Sequence, residues 1–314
     1  MNWTDPAELE RLHEEDTDAY RVGARWNFTI DRFGADFLIT ARGTEDAAAV
    51  ESSLHDWIRA NGLTCDRVFL RRMAADGRAS QRPVQIFGTT HAEAMGLAKE
   101  RGMRFEIDFA AGQSPGLFFD QRENRRFLQS LAPKRVLNAF AYTCAFSVAA
   151  ALTGAETLSI DLSKKWLQRG RKNFELNGLS GTNPEPKPAP LSRFLADDVR
   201  DVLPRLRRRG ERFDAILLDP PTHAKTPGRD FQVERELGEL ASIAAECLTP
   251  GGHLFLSTNY TRWSIADIEA LGRAAAHHIG CDVRVKDVPL PPDIPPEELP
   301  ATGWFQMIAR PIPR

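Results

Sequence analysis

The spacing of apolar positions divides the 314-residue chain into two regions. From about Trp26 to Phe109, short alternating runs are mixed with one helical stretch. "WNFTIDRFGADFLITAR" predicts a β-hairpin turning near Phe33-Gly34, and "DRVFLRR" and "MRFEIDF" predict strands. "DAAAVESSLHDWIRANG" has helical spacing and a stop at Gly62. From Arg135 onward the pattern becomes regular. Strands are predicted at "RVLNAF", "ETLSID", "SRFLA", "FDAILLD", "GHLFLST", "DVRVKDV" and "WFQMIAR". Helices fall between them at about 145–153, 163–177, 199–209, 231–248 and 264–279. Such alternation predicts an α/β domain built on a doubly wound, mostly parallel sheet. The proline-rich "PLPPDIPPEELP" before the last strand suits a long connection that brings it in antiparallel, for seven strands in all. The expected division is a smaller α+β domain over 1–110 and the sheet domain over 111–314.

In open α/β sheets, ligands bind beyond the carboxyl ends of the strands. Here the first strand of the regular region runs into "NAFAYTCAF" and the second ends in Asp161. The third ends in Asp197-Asp198, the fourth in Asp219 and the fifth in "STNY". Asp161 follows Phe140 by 21 residues, about the separation at which a carboxylate reaches a ribose hydroxyl. It could also cap the helix that opens "LSKKWL". A dinucleotide would need glycines in the first loop so that the backbone approaches the pyrophosphate. "AYTCAF" has none. S-adenosylmethionine carries no phosphate, and a loop of small and medium side chains accommodates it. An acid after the third strand accepts from an adenine amino group; Asp198, which leads into the helix "VRDVL", is favoured over Asp197.

"FDAILLDPPTHAK" is the sharpest local feature. Pro220 and Pro221 lack amide donors and hold φ near about −65°, so the strand must stop after Asp219. The stretch reads either as a rigid turn or as a ledge beside reacting groups.

Composition narrows the class. Apolar residues at 42% and charged residues at 27% fit a folded globular chain. The start, "MNWTDPAELERLHEED", is polar and acidic and reads as neither a signal peptide nor a transit peptide. The longest apolar passage, around Ala139 to Ala155, is too short to span a bilayer, so a cytoplasmic protein without a membrane partner is expected. Cys65, Cys144, Cys247 and Cys281 show no CxxC or metal-ligand spacing and are expected to be reduced and mostly buried, with no metal site. The formal net charge of −2 does not advertise nucleic acid. Residues 1–20, however, hold seven acids against Arg11 alone, and the rest of the chain carries 40 basic against 36 acidic residues, a net of +4. "RLRRRGER" suits a solvated helix C-terminus stopped at Gly210 better than a phosphate site.

As an ordered set, "GLFFDQRENRR", "VLNAFAYTCAFSVAAALTGAETLSIDLSKKWL", "NFELNG" and "DAILLDPPTHAK" resemble bacterial large-subunit (23S) ribosomal RNA methyltransferases, those that make 5-methylcytosine and 7-methylguanine. The likeness covers roughly residues 105–265, and "YRVGARWNFTIDRF" is faintly similar to the family's accessory region. The resemblance implies a Rossmann-like class I methyltransferase fold, S-adenosylmethionine as cofactor and ribosomal RNA as substrate, with an accessory, substrate-recognising N-terminal domain. By position it places the cofactor loop on Tyr142, Thr143 and Cys144, and the ribose carboxylate on Asp161, followed by Ser163. The catalytic corner falls on Asp219 and Pro220 with Pro221 beside them, and the element that closes over the cofactor on Asp120, Gln121 and Arg122. Relatives usually show glycine where Cys144 stands and threonine-glycine where Pro115-Gly116 stands. Cys144 is small enough to preserve the loop as a packed thiol.

The acceptor follows from what is missing. Methylation at pyrimidine C5 requires a thiolate to attack C6 first. The enzymes that do this carry it after the strand-four proline or after strand five, where this chain reads "DPPTH" and "LSTNY". Cys247 is expected inside a helix and Cys281 at the start of a distant strand. A nitrogen acceptor needs less: guanine N7 presents its lone pair unaided and has only to be held in line with the methyl group, whereas an exocyclic amine would donate to the carbonyls at Asp219-Pro220. The expected activity is methyl transfer to a purine nitrogen of ribosomal RNA, with Thr222 and His223 on the acceptor side and Tyr260 stacking a flipped base. Trp263 suits packing as well as stacking. Two other readings stay open: a methyltransferase for a small molecule or protein, and a catalytically silent binding module, against which intact "DPP" and Asp161 argue.

Overall fold

The computed structural model describes residues 1–43, 47–73, 82–89, 93–111, 114–179, 191–224 and 229–310. The chain divides into two units, one formed by Met1–Arg122 with Pro291–Pro295, the other by Glu123–Leu290 with Pro296–Arg314.

In the first unit the elements run β1 (Asn2–Trp3), α1 (Pro6–Glu14), β2 (Ala19–Arg25), β3 (Phe28–Phe33), β4 (Asp36–Arg42), α2 (Ala48–Ala60), β5 (Arg67–Met73), β6 (Val84–Gly88), β7 (Met95–Glu100) and β8 (Met103–Asp108). β1 to β6 form one sheet in sequential order, and β7 pairs with β8 separately. Among the described residues of this unit only β4 and β5, joined through α2, run parallel. α2 packs on the sheet because Val50, Leu54 and Ile58 recur every four residues along one face. They join one cluster with Ile30, Ile39 and Val68 of the strands. The predicted hairpin turns where expected: Phe33 pairs with Asp36, and Gly34 takes a left-handed φ of 66° that favours glycine.

α1 and β2 go beyond the sequence reading. Asp5 caps α1 by accepting from the Ala7 amide, with Pro6 at the first helical position, a start signal lost in an acidic run. β2 is buried on both faces over most of its length and therefore shows no alternation.

This unit also holds Arg122. Its side chain and that of Asp293 are fully buried and form a two-pronged ion pair at 2.9 Å. Arg122 donates to the Ala19 carbonyl as well, and Asp293 accepts from the Arg21 amide. A guanidinium so committed pins the Pro291–Pro295 segment into the first unit. Gln121 lies beside it in the sequence and is buried in the same unit.

The second unit follows with α3 (Arg122–Ser130), whose first residue belongs to the first unit, β9 (Arg135–Ala139), α4 (Ala145–Leu152), β10 (Glu156–Asp161), α5 (Lys164–Leu176), β11 (Ser192–Ala196), α6 (Val199–Arg208) and β12 (Phe213–Leu218). It continues with β13 (His223–Ala224), β14 (Phe231–Gln232), α7 (Val233–Glu246), β15 (Leu248–Thr258), α8 (Ile265–His278), β16 (Cys281–Lys286) and β17 (Ala301–Ala309). Seven strands form a sheet in the order β11-β10-β9-β12-β15-β17-β16. β17 runs antiparallel to both neighbours, and the proline-rich segment is the connection that brings it in, as expected.

The strands alternate between two cores. Leu137, Ala139, Ile216, Leu218, Leu254 and Leu256 pack with the residues of α6, α7 and α8. Val136, Ala215, Leu217 and Phe255 pack with Leu128 of α3 and with Phe146 and Ala150 of α4. Burial on both faces explains why "FDAILL" reads as a continuous apolar run.

The start of β15, at Leu248 rather than Gly252, and both ends of α7 differ from the sequence reading. α7 begins at Val233, because Phe231 and Gln232 pair with His223 and Ala224. It ends at Glu246, so Cys247 is its C-cap rather than an interior residue.

Candidate active site

Leu218 is level with Ala139 on one side and Leu256 on the other, so the ends of β9, β12 and β15 meet at one edge of the sheet. The chain leaves β9 toward β10 and β11 in one direction, and β12 and β15 lie in the other, which makes this edge the topological switch point.

The loop after β9 is strained. Phe140, Tyr142 and Cys144 adopt φ of 62°, 49° and 62°, left-handed values that cost a side chain roughly 1–2 kcal/mol each. Neighbours hold it there. The Ala141 amide donates to the Ile160 carbonyl (2.9 Å), the Tyr142 amide to Asp161 Oδ2 (2.9 Å) and the Cys144 amide to the Ala141 carbonyl (2.7 Å). Buried Asn173 of α5 donates through Nδ2 to the Thr143 carbonyl (2.9 Å). Below, Asn138 donates to Ser147 at 2.9 Å, and Ser147 meets Ser159 at 2.8 Å, a neutral buried chain of side chains. The Cys144 thiol is buried, and that burial pushes its pKa up to about 12. It faces Gly170, where a Cβ would stand 2.4 Å from Sγ. This is a packed thiol, not a nucleophile.

Asp161, at the end of β10, accepts from the Tyr142 amide through Oδ2 and from the Ser163 amide (2.8 Å) through Oδ1. Burial raises its pKa above the ordinary 3.8, and the two amide donors oppose that rise. Ser163, not Asp161, caps α5, accepting from the Trp166 amide at 3.3 Å. A carboxylate offers about four acceptor positions, so each oxygen retains one for a hydroxyl of a ribose. Exposed Leu162 beside it offers an apolar face to a base. The residues present therefore fit the nucleoside part of S-adenosylmethionine.

The acids after β11 are both engaged by α6. Asp198 caps the helix through the Arg200 amide (2.9 Å) and takes the Arg200 guanidinium on both oxygens. Burial acts to raise its pKa, but these hydrogen bonds prevail and lower it. Asp197 is drawn along the helix into an ion pair with Arg205, whose hydrogen bond lowers its pKa, and it lines a shallow groove with Asp201, Pro204 and Arg208. Its amide donates to the Asp161 carbonyl, so the ends of β10 and β11 are adjacent.

At the corner, Pro220 is buried and Pro221 exposed. The chain then folds back: His223 pairs with Gln232, and the Val233 amide donates to the Thr222 carbonyl at 3.2 Å. Lys225 lies outside the described residues. Phe231 of β14 meets Phe140 at 5.4 Å, tying the corner to the strained loop. After β15, the Tyr260 amide donates to Thr258 Oγ1 and its hydroxyl donates to Glu234 (3.0 Å) at the start of α7. Trp263 packs edge-on to Tyr260 and against the core.

The edge thus gathers Tyr142, Thr143, Cys144, Asp161, Ser163, Asp197, Asp198, Asp219, Pro220, Pro221, Thr222, His223 and Tyr260 within the second unit, whereas Gln121 and Arg122 belong to the first. Asn173, Arg200, Phe231 and Glu234 escaped the sequence reading. Only Asn173 had a signal, as the first residue of "NFELNG".

Residues 79–308 match a family model described as S-adenosylmethionine-dependent methyltransferase. The chain is 32% identical over 231 residues to ribosomal RNA large subunit methyltransferase I of Aeromonas hydrophila subsp. hydrophila, covering 72% of this chain and 56% of that protein. It is 34% identical over 209 residues to ribosomal RNA large subunit methyltransferase K/L of Psychrobacter cryohalolentis, covering 65% of this chain and 26% of the other. It therefore spans about half the length, or less, of these curated relatives. The crystal structure of SMU.776, a protein complexed with SAH, covers 96% of this chain with 78% of its own at a TM-score of 0.77 and 23% identity, a likeness of fold.

Proposed function

The chain belongs to the S-adenosylmethionine-dependent methyltransferase family, and from that premise we propose that it methylates a purine nitrogen of ribosomal RNA in the cytoplasm. S-adenosylmethionine, when bound, supplies an electrophilic methyl group. In this reading Asp161 accepts from the ribose hydroxyls, Asp198 from the adenine amino group, and the loop of Tyr142, Thr143 and Cys144 forms the cofactor's floor, with Ser163 holding the start of α5 behind Asp161. Asp219, Pro220 and Pro221 form a stiff ledge, with Thr222, His223 and Tyr260 on the acceptor side.

The disposition of sulfur carries the choice of a nitrogen acceptor. The chain has four cysteines. Cys144 is sealed under the loop, Cys247 caps α7 with its pKa pushed up by burial to about 11, Cys281 begins β16, and Cys65 lies in the first unit. None stands in "DPPTH" or "LSTNY", directly after the corner or at the end of β15, where an attacking thiolate would be needed. The names of the curated relatives support ribosomal RNA as the acceptor. No described helix is long and apolar enough to cross a membrane.

The first unit is assigned to acceptor recognition. Trp26, 89% exposed, sits on the tip between β2 and β3 beside exposed Arg25. The Arg42 amide donates to the Asn27 carbonyl at 2.8 Å, which anchors that tip and brings a second exposed arginine to it. An aromatic face with flanking cations suits an unpaired base and its phosphates.

Mass-spectrometric mapping of modified nucleosides in a deletion strain tests the proposal. Loss of one methylated purine from large-subunit ribosomal RNA is expected. Loss of 5-methylcytosine instead, or unchanged RNA, would overturn it.

A further inference from the structure

We infer that Arg200 is a positioning residue, which fixes the acceptor-side hairpin to the cofactor-side acid at the end of β11. Its guanidinium, with only 4% of the side chain exposed, bonds to groups from three separate segments. Nε and Nη2 donate to the Asp198 carboxylate at 3.0 and 2.6 Å. Nη1 reaches Glu236 in the first turn of α7 at 3.3 Å. Nη2 and Nη1 also donate to the carbonyls of Arg229 and Asp230, at 2.8 and 3.4 Å. Those carbonyls immediately precede β14, the strand that holds Thr222 and His223 in place through the His223–Gln232 pair and the bond from the Val233 amide to the Thr222 carbonyl. Glu236 closes the same network by accepting from the Gln232 amide at 3.0 Å.

One planar fork therefore sets where the residues after the DPP corner stand relative to Asp198. Capping α6 does not require this, since the Arg200 backbone amide already binds Asp198. A lysine would retain the positive charge for Asp198, but a point charge on a flexible stem cannot span all three partners. The role of Thr222 and His223 rests on the proposed function; the mechanical role of Arg200 does not.

The test compares wild type with Arg200→Lys and Arg200→Met by three measurements. Amide hydrogen exchange in 222–224 and 229–233 should accelerate at least about tenfold in both variants, with α4 protected as before. Calorimetric S-adenosylmethionine affinity of Arg200→Lys should stay within about threefold of wild type. Its kcat/KM for the RNA acceptor should fall by about ten- to a hundredfold, the range expected when a reacting partner is misplaced by up to about 1 Å. Unchanged hairpin exchange in Arg200→Lys, or cofactor affinity falling in step with it, would overturn the inference. Exchange and calorimetry need no acceptor, so they judge Arg200 even if wild type proves inactive on RNA, an outcome that would instead count against the proposed function.

Discussion

The first unit holds three of its buried arginines in ion pairs, and the second leaves the Asp161 carboxylate to neutral donors. In the first, Arg67 is locked to Asp36, Arg21 to Asp31 and Arg122 to Asp293, all with little or no side-chain exposure. In the second, the polar groups beneath the loop after β9 are Asn138, Ser147, Ser159 and Asn173, and Asp161 is held by two backbone amides. The difference is chemical. A carboxylate paired with a guanidinium has its charge compensated and its lone pairs directed, whereas one held by amides keeps its charge for an incoming hydroxyl. The contrast sets these three ion pairs, which hold the fold, apart from the proposed ribose acceptor; Asp198, paired with Arg200, belongs with the first kind and has only the lone pairs its guanidinium bonds leave for the proposed adenine contact.

The largest effect should come from breaking that rule in the first unit. Asp293→Ala would strand the fully buried Arg122 guanidinium, and losing one partner of a buried pair costs about 3–5 kcal/mol. Chemical denaturation should show that loss in the transition of the first unit. A change within about 0.5 kcal/mol would mean that the pair has no structural role.

At the corner, Pro220→Ala restores an amide donor and loosens the turn. Methyl transfer should fall by about a hundredfold, while calorimetric cofactor affinity stays near wild type. Parallel loss of both would make the corner part of the cofactor pocket. Asp161→Ala should show the converse pattern, with cofactor binding weakened by about 1.5–3 kcal/mol for the charged hydrogen-bonding group lost.

Asp161 also sets a pH dependence. Its folded pKa is raised, so ionising it in the ligand-free protein is a cost that appears as pH rises through that value. Ribose hydroxyls donate to the ionised form. Cofactor affinity should therefore decline on acidification, beginning at a pH above the ordinary carboxylate value of 3.8. A calorimetric titration series that is flat down to that value would remove Asp161 from the site. Trp26→Ala, a smaller perturbation, should lower RNA affinity by about 1–3 kcal/mol, the usual worth of one stacked base, and leave cofactor binding alone. Equal RNA affinity in the two proteins would withdraw the recognition role of this tip.

Legibility in the sequence followed the same contrast. Strands β9, β10 and β12 and helices α4, α6, α7 and α8 were readable because each buries a face, leaving an apolar run or a helical period, whereas β11, with no fully buried residue, was readable from its place in the alternation of strands and helices. β2 gave no alternation, and α1 opened inside a run of acids. The strand-end acids Asp161, Asp198 and Asp219 were visible from position alone. Their partners were not: nothing in "DDVRDVL" says that Arg200 turns toward Asp198 and the hairpin, and "DQRENRR" does not disclose that Arg122 finds Asp293, 171 residues later. Hydrophobic pattern encodes which face is buried, whereas the pairing of long polar side chains is decided only by the assembled fold.

The smallest expected effect belongs to Cys144, and it isolates what strain contributes. Cys144→Gly removes a side chain from a left-handed position, a gain of about 1 kcal/mol. It also removes a packed thiol, a loss of similar size. Stability and cofactor affinity should both stay within about 0.5 kcal/mol of wild type, since surface and compensated changes rarely exceed that. Gly170→Ala alone should do harm, because its new Cβ would stand 2.4 Å from Cys144 Sγ and 3.0 Å from Cys144 Cβ, and overpacking a core costs about 1–3 kcal/mol. With Cys144→Gly in the same chain both clashing atoms are gone, and the nearest remaining one, the Thr143 carbonyl carbon at 3.5 Å, is in ordinary contact. The double variant should therefore recover most of the loss, giving a coupling energy of about 1–2 kcal/mol in a double-mutant cycle. Additive effects would show that the loop after β9 is fixed by its hydrogen bonds, those to Ile160, Asp161 and Asn173 included, with the fit between thiol and glycine incidental.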